Sequence, residues 1–235
     1  MPHIKKLLAA AALCGLHAAG SAAVVFNPVN SNTGIDNVVF NPCAAEVILG
    51  TTVSGCLNND NSTYVTFTGS EQLSVNGGQA SIEAVDGAFD NLLIQMASAT
   101  QGFTKIVFNV NTDALDPTGQ ITITANLFAP GTSVTSSALN LANGQNFFTV
   151  ESTAGDVIQS LSFVSSTGLN AVLFQDTRQV RIGVADAPPT TCPVGTTGTP
   201  PTCVPDQNNV PEPGSLALVG LALAAAGGIA RRRRG

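Results

Sequence analysis

Histidine is almost missing from this chain. His3 and His17 are the only two, and both stand before Val24. The body of the chain therefore has no Ser-His-Asp or Cys-His nucleophile, no His-ligated zinc and no ordinary base near neutral pH. Tryptophan is absent and Tyr64 is the single tyrosine, which weakens the case for an aromatic platform that stacks on sugars. Positive charge is scarce and badly placed. Lys5 and Lys6 lie at one end and Arg231, Arg232, Arg233 and Arg234 at the other, leaving only Lys105, Arg178 and Arg181 between them. All fifteen acidic residues fall between Asp36 and Glu212, so the region between the termini is formally −12. Such a surface repels nucleic acid, which excludes a nucleic-acid partner, and it keeps the chain soluble. Long apolar runs are lacking too: the two worth reading are Leu7 to Leu16 and Ser215 to Ala230.

The ends of the chain carry addresses. Lys5 and Lys6, then Leu7 to Leu16, then the small residues Ala18, Ala19, Gly20, Ser21, Ala22 and Ala23 follow the order of a secretory signal peptide. Residues 1–23 are expected to be removed by signal peptidase, with Ser21 and Ala23 at the cleavage positions and Val24 as the new N-terminus; cleavage after Ala22 suits the same sequence nearly as well. About ten apolar residues are too few to span a bilayer. Cys14 follows the bulky Leu13, so it reads as an apolar residue discarded with the leader rather than a lipid attachment site.

At the other end, Val210-Pro211-Glu212-Pro213-Gly214 leads into the apolar run Ser215 to Ala230, and the four arginines follow. Two prolines remove backbone donors and hold an extended, non-helical approach that exposes Glu212. As a transmembrane helix, residues 215–230 would measure roughly 24 Å against a hydrocarbon core of about 30 Å. The arginines at 231–234 would remain cytoplasmic and snorkel to make up the difference. Residues 210–235 in this order resemble the PEP-CTERM sorting signal of Gram-negative bacteria. That resemblance implies an exosortase partner, a precursor held in the inner membrane, and delivery to the cell surface or extracellular matrix. A plain stop-transfer anchor shares the apolar run and the arginines, and a GPI signal normally ends apolar.

Four cysteines remain beyond the leader: Cys43, Cys56, Cys192 and Cys203. An even number in an exported chain suggests two disulfides, with three pairings open. Closeness in sequence favours Cys43 with Cys56 and Cys192 with Cys203, because short loops close cheaply. The spacing is not that of a C-x-x-C redox or zinc motif, and no metal or cofactor is expected. Residues 185–209 read as a linker, where Pro188, Pro189, Pro193, Pro200, Pro201 and Pro205 alternate with Thr and Gly.

Residues 24–184 are enough for one domain with a sizeable core. Their period is two. Ile121, Ile123, Ala125 and Leu127 alternate with Thr122, Thr124 and Asn126, while Ile106, Phe108 and Val110 oppose Val107 and Asn109. Further strands are expected at 38–41, 46–53, 63–68, 80–85, 91–97, 146–151, 158–165, 171–175 and 180–184. Val24-Val25-Phe26-Asn27-Pro28 recurs as Val38-Val39-Phe40-Asn41-Pro42, read as two strands that end in similar turns. The fold class is all-β, an antiparallel sandwich of jelly-roll type, with the C-terminal helix added. The stretches 146–150, 158–165 and 176–182 resemble closing strands of domains common in PEP-CTERM proteins, which are similar to lectin-like jelly rolls.

No candidate site in the domain stands out by sequence. Asn58-Asn59-Asp60-Asn61 is rich in oxygen, but it lacks the spaced carboxylates and closing Glu of a calcium loop, so an Asn-rich turn is expected. Asp86-Gly87-Ala88-Phe89-Asp90, and Asp113 with Asp116-Pro117, read as acidic turns. Arg178 and Arg181 are expected to pair with acidic residues on a sheet face. The function that follows is a non-catalytic surface or matrix protein associated with extracellular polysaccharide. A carbohydrate-binding module, with or without Ca²⁺, is the alternative, and a two-carboxylate glycosidase a distant third.

Overall fold

A computed structural model describes residues 24–41, 43–76, 81–112, 118–128, 132–153, 155–166, 172–192, 194, 196–198 and 203–205. The expected leader, the membrane run and the arginine cluster lie outside the described residues, and among those described no helix is long and apolar enough to cross a membrane. The chain divides into two compact units after Ala187.

Alternation of side chains makes the strands of the first unit. In β8 (Gly119–Leu127) Ile121, Ile123, Ala125 and Leu127 are buried, while the residues between them remain partly exposed. The same two-residue rhythm places Leu92, Ile94 and Met96 inward from β6 (Asn91–Met96). β7 (Gln101–Thr112) departs from it, being buried on both faces from Ile106 to Val110, as a central strand must be when something covers each side.

The remaining strands are β1 (Val24–Asn27), β2 (Asp36–Val39), β3 (Leu49–Leu57), β4 (Tyr64–Asn76), β5 (Ser81–Ala84), β9 (Ser133–Thr135), β10 (Leu139–Leu141), β11 (Gln145–Ser152), β12 (Ile158–Ser165) and β13 (Phe174–Asp186). Every pairing is antiparallel. One layer runs β1-β11-β7-β13 and the other β2-β3-β4-β6-β12-β8-β10. Two long strands join them. β13 pairs with β5 through Asp176 and Thr177 and with β2 through Arg181 and Ile182. β4 meets β6 over Val65–Thr68 and β5 over Leu73–Asn76. A single pairing, Phe103 with Ile158, closes the opposite side and gives the sandwich a barrel-like circuit.

Gly102 makes that closure possible. A Cβ there would collide with the Ile158 carbonyl oxygen and would press on Phe128 and Val157. Between the layers, Phe108 stacks on Phe163 at 5.2 Å, Phe163 meets Phe174 edge-on at 5.5 Å, and Phe174 meets Phe89 at 5.8 Å. Phe148 continues the chain from Phe108 at 5.6 Å. Contacts of this kind each contribute about 0.5–1.5 kcal/mol beyond the area they bury.

Both disulfides are Cys43–Cys56 and Cys192–Cys203, with Cα separations of 5.7 and 5.5 Å. The first ties the segment after β2 to β3, where Cys56 is fully buried. The second closes a loop in the Pro/Thr/Gly-rich segment, where β14 (Thr196–Thr197) pairs with β15 (Val204–Pro205).

Several boundaries differ from the sequence expectation. The end of the strand expected at 171–175 and the whole of the one expected at 180–184 belong to one continuous β13 that begins at Phe174, carried past the irregular stretch by shifts of register at Phe174/Asp176, Arg178/Arg181 and Gly183/Val184. β4 extends eight residues beyond the expected end at Thr68, since its polar second half is a strand only by pairing with β3 and β5. β9 and β10 carry no periodicity of their own and exist as short edge additions to β8.

Candidate functional site

The outer face of the β11-β7-β13 layer holds a depression of about 310 Å³, lined by Ser81, Glu83, Asn109, Gln145, Arg178 and Gln179. Its construction follows from register. Residues directly opposite in an antiparallel ladder project to the same face. Phe147 of β11, Asn109 of β7 and Arg178 of β13 form one such row. Gln145, Asn111, Asp176 and Glu83 form the next, across β11, β7, β13 and β5. Phe148 and Phe108, one position away, point into the core, so Phe147 is left partly exposed on the outer side.

Asn109 forms the floor. It is fully buried, and neither its amide nitrogen nor its carbonyl oxygen has a hydrogen-bond partner in the protein. A buried amide in that condition costs about 1–3 kcal/mol. Beside it β13 bulges. Gln179 holds φ at 54°, alone among the described non-glycine residues in adopting a positive value. The rim therefore carries a backbone conformation that a side chain seldom tolerates.

Asp176 is fully buried beneath the rim. Arg178 Nη2 donates to its Oδ2 at 2.6 Å and Asn111 Nδ2 to its Oδ1 at 2.8 Å. Burial pushes this carboxyl above its ordinary range, Arg178 and Asn111 pull it back, and the Glu83 charge adds to the rise. Ser81 donates to Glu83 Oε1 at 2.9 Å, which holds that carboxylate as an acceptor on the depression. Arg178 is thus compensated, and Glu83 leaves the site with one net negative charge.

Further along the same face, residues 29–32 cover the sheet. Thr149 Oγ1 donates to the Val29 carbonyl at 2.7 Å, and Lys105 Nζ donates to Ser31 at 3.1 Å while lying 3.9 Å from Glu151. Arg181 donates to Asn37 and Asn32, each at 2.7 Å. Pairing with an acid, expected for both arginines, holds for Arg178; Arg181 is instead satisfied by side-chain amides because Asp36 is turned toward Asn59.

The other expected candidates are turns. Asp60 accepts from Ser62 N, Ser62 Oγ and Thr63 Oγ1, and those bonds hold its carboxyl below the usual range. Asp90 accepts from Ser70, and Gly87 carries φ of 104° in the preceding turn. Asp113, Asp116 and Pro117 lie outside the described residues. No group of three or more acidic, Cys or His side chains among the described residues is placed to hold a metal. Asn109, Phe147, Glu83 and Asp176 were not singled out in the sequence as candidate site residues. A visible signal was present for Asn109, an amide set inside the apolar run Ile106 to Val110.

The fold and this face define an all-β domain with a polar surface site, followed by a disulfide-closed Pro/Thr/Gly segment. Residues 209–234 match the PEP-CTERM protein-sorting motif, as their order of Pro-Glu-Pro, apolar run and arginines anticipates. No curated protein matches the chain. Among solved structures the chain is similar to a family 29 carbohydrate binding module at 11% identity, covering 68% of this chain and 88% of that one, with a TM-score of 0.32. A lysine-to-alanine variant of CBM29-2 gives 10% identity, 69% and 91% coverage and a TM-score of 0.33. These are loose superpositions of β-rich folds.

Proposed function

We propose that this protein is an exported, non-catalytic surface or matrix protein whose C-terminus is read by an exosortase. The match of residues 209–234 to the sorting motif carries that reading. In it, residues 1–23 direct export, residues 215–230 form a single membrane helix that holds the precursor in the inner membrane, and the 231–234 arginines keep the tail oriented. Pro211, Glu212 and Pro213 then present the exosortase with a stiff, extended target on the outer side. The domain, a sandwich of jelly-roll type, is the cargo, and residues 185–209, beyond the two that close β13, are the spacer that sets it off from the membrane. Two disulfides accord with an oxidising compartment.

Replacing Pro211-Glu212-Pro213 with alanines tests the sorting step. The expected result is an unprocessed precursor held in the membrane fraction, of higher mass than the wild-type product. Normal maturation would refute it.

A second observation favours association of the cargo with extracellular polysaccharide. The depression over Asn109 concentrates donors and acceptors on an otherwise ordinary sheet face. Binding of polysaccharide there needs neither catalysis nor metal.

A further inference from the structure

We propose that the Asn109 depression is a subsite for a neutral, hydroxyl-rich sugar residue. The proposal deepens the reading of polysaccharide association and rests on it. Four features of the face converge on this ligand class.

The first is the amide. Asn109 lines the depression with a carboxamide whose nitrogen and oxygen are both buried and both without a protein partner, so a ligand hydroxyl reaches them once the side chains around it move aside. Neighbouring hydroxyls on a pyranose ring each donate and accept, so a vicinal pair complements a carboxamide in a way that a simple anion or cation does not. The second is the ring of Phe147, directly opposite Asn109 and partly exposed on the same face. It supplies the apolar surface against which the C–H side of a sugar packs. Phe26, also partly exposed, packs against the core and supplies no such surface.

The third feature is charge. Arg178 is held by the buried Asp176, and Glu83 is oriented by Ser81. A hydroxyl can accept from the exposed part of Arg178 and donate to Glu83. A uronate or a phosphorylated sugar would meet Glu83 with no uncompensated cation to offset the repulsion. A metal ion fits no better, since Asp176 already holds Arg178 and Asn111 and leaves no cluster of three ligating acids. The fourth is scale: about 310 Å³ stands at the small end of ligand sites and suits one or two rings of a longer chain. Gln179, with its left-handed backbone at the rim, fixes the outline of the depression.

The test uses the full chain, purified in a detergent without a sugar headgroup, and calorimetric titration with maltohexaose, mannohexaose, laminarihexaose, cellohexaose and a hexamer of mannuronate. At least one neutral hexasaccharide is expected to bind, and the mannuronate hexamer at least about tenfold more weakly. Phe147→Ala and Asn109→Val should each weaken the neutral ligand by about tenfold or more. Phe147 is partly exposed, so its variant remains informative should Asn109→Val fold poorly. Neutral binding that both variants retain at full strength would overturn the subsite while leaving polysaccharide association intact. No neutral binding at all would overturn both, and preferential binding of the mannuronate hexamer would overturn the ligand class. Processing of the precursor at residues 209–234 is a separate readout that none of these outcomes touches.

Discussion

The tail and the β-domain store their information in opposite ways. In the tail, meaning lies in linear order: Pro211-Glu212-Pro213, then a short apolar run, then four arginines, and the match to a sorting motif covers that stretch. In the domain, meaning lies in register. Phe147, Asn109 and Arg178 are dozens of positions apart in the chain and meet only because β11, β7 and β13 pair as they do. An address can be carried by linear order alone, whereas a ligand site needs groups held by a rigid sheet. The account therefore expects the two to fail independently.

Changes that break the sandwich should leave the address intact. The largest effect is expected at its closure and core. Gly102→Ala forces a methyl group against the Ile158 carbonyl oxygen, and Phe108→Ala empties the middle of the phenylalanine chain. Phe108→Ala should cost about 3–5 kcal/mol and Gly102→Ala about 3 kcal/mol, the upper end of ordinary overpacking, each read as a loss of denaturant midpoint. Removing the Cys43–Cys56 bridge with a double alanine variant comes next, at about 3 kcal/mol for a loop of this length. Neither kind of change should alter cleavage of precursor that still folds.

Asn109→Val sharpens the comparison within the domain. Apolar core positions such as Phe108 and Ile123 bury no polar atom of the side chain, so truncation there should only destabilise. The floor of the depression violates that rule, and replacing its unpartnered amide should stabilise the domain by about 1–3 kcal/mol as its ligand affinity falls. A drop in melting temperature would show instead that the amide is structurally bonded.

The smallest effect is a change in pH dependence. The Asp176 carboxyl is raised from an ordinary value of 3.8, so the folded state holds that proton more tightly than the unfolded chain. Its contribution is fully present below the ordinary value and is lost as pH rises through the higher folded value. Asp176→Asn should therefore flatten the stability profile on the high-pH side of 3.8. Asp60, lowered by Ser62 and Thr63, acts in the other sense: its contribution is present above 3.8 and fades as pH falls through the lower folded value. Asp60→Asn should reduce acid sensitivity in denaturation monitored below that point.

Alternation in β6 and β8 betrayed an all-β fold, because each buries one residue in two against a single core. Closeness in sequence pointed to both disulfide pairs. Continuity of β13 was hidden, since its bulges interrupt the period at the place where Gln179 turns left-handed. The depression was hidden for a deeper reason. Asn109 is one amide inside the apolar run Ile106 to Val110, and only the row of Phe147 and Arg178 makes it a floor. Periodicity reports which face a residue takes, and says nothing of which strands stand beside it.

Moving the tail to another protein separates the address from the domain. Residues 209–235 are fused behind an unrelated exported domain, and the mass and location of that passenger are measured in the native host. The passenger is expected to be cleaved from its tail and to leave the inner membrane, as the tail carries the address alone. A passenger that stays full-length in the membrane, while this protein matures normally in the same cells, would contradict it.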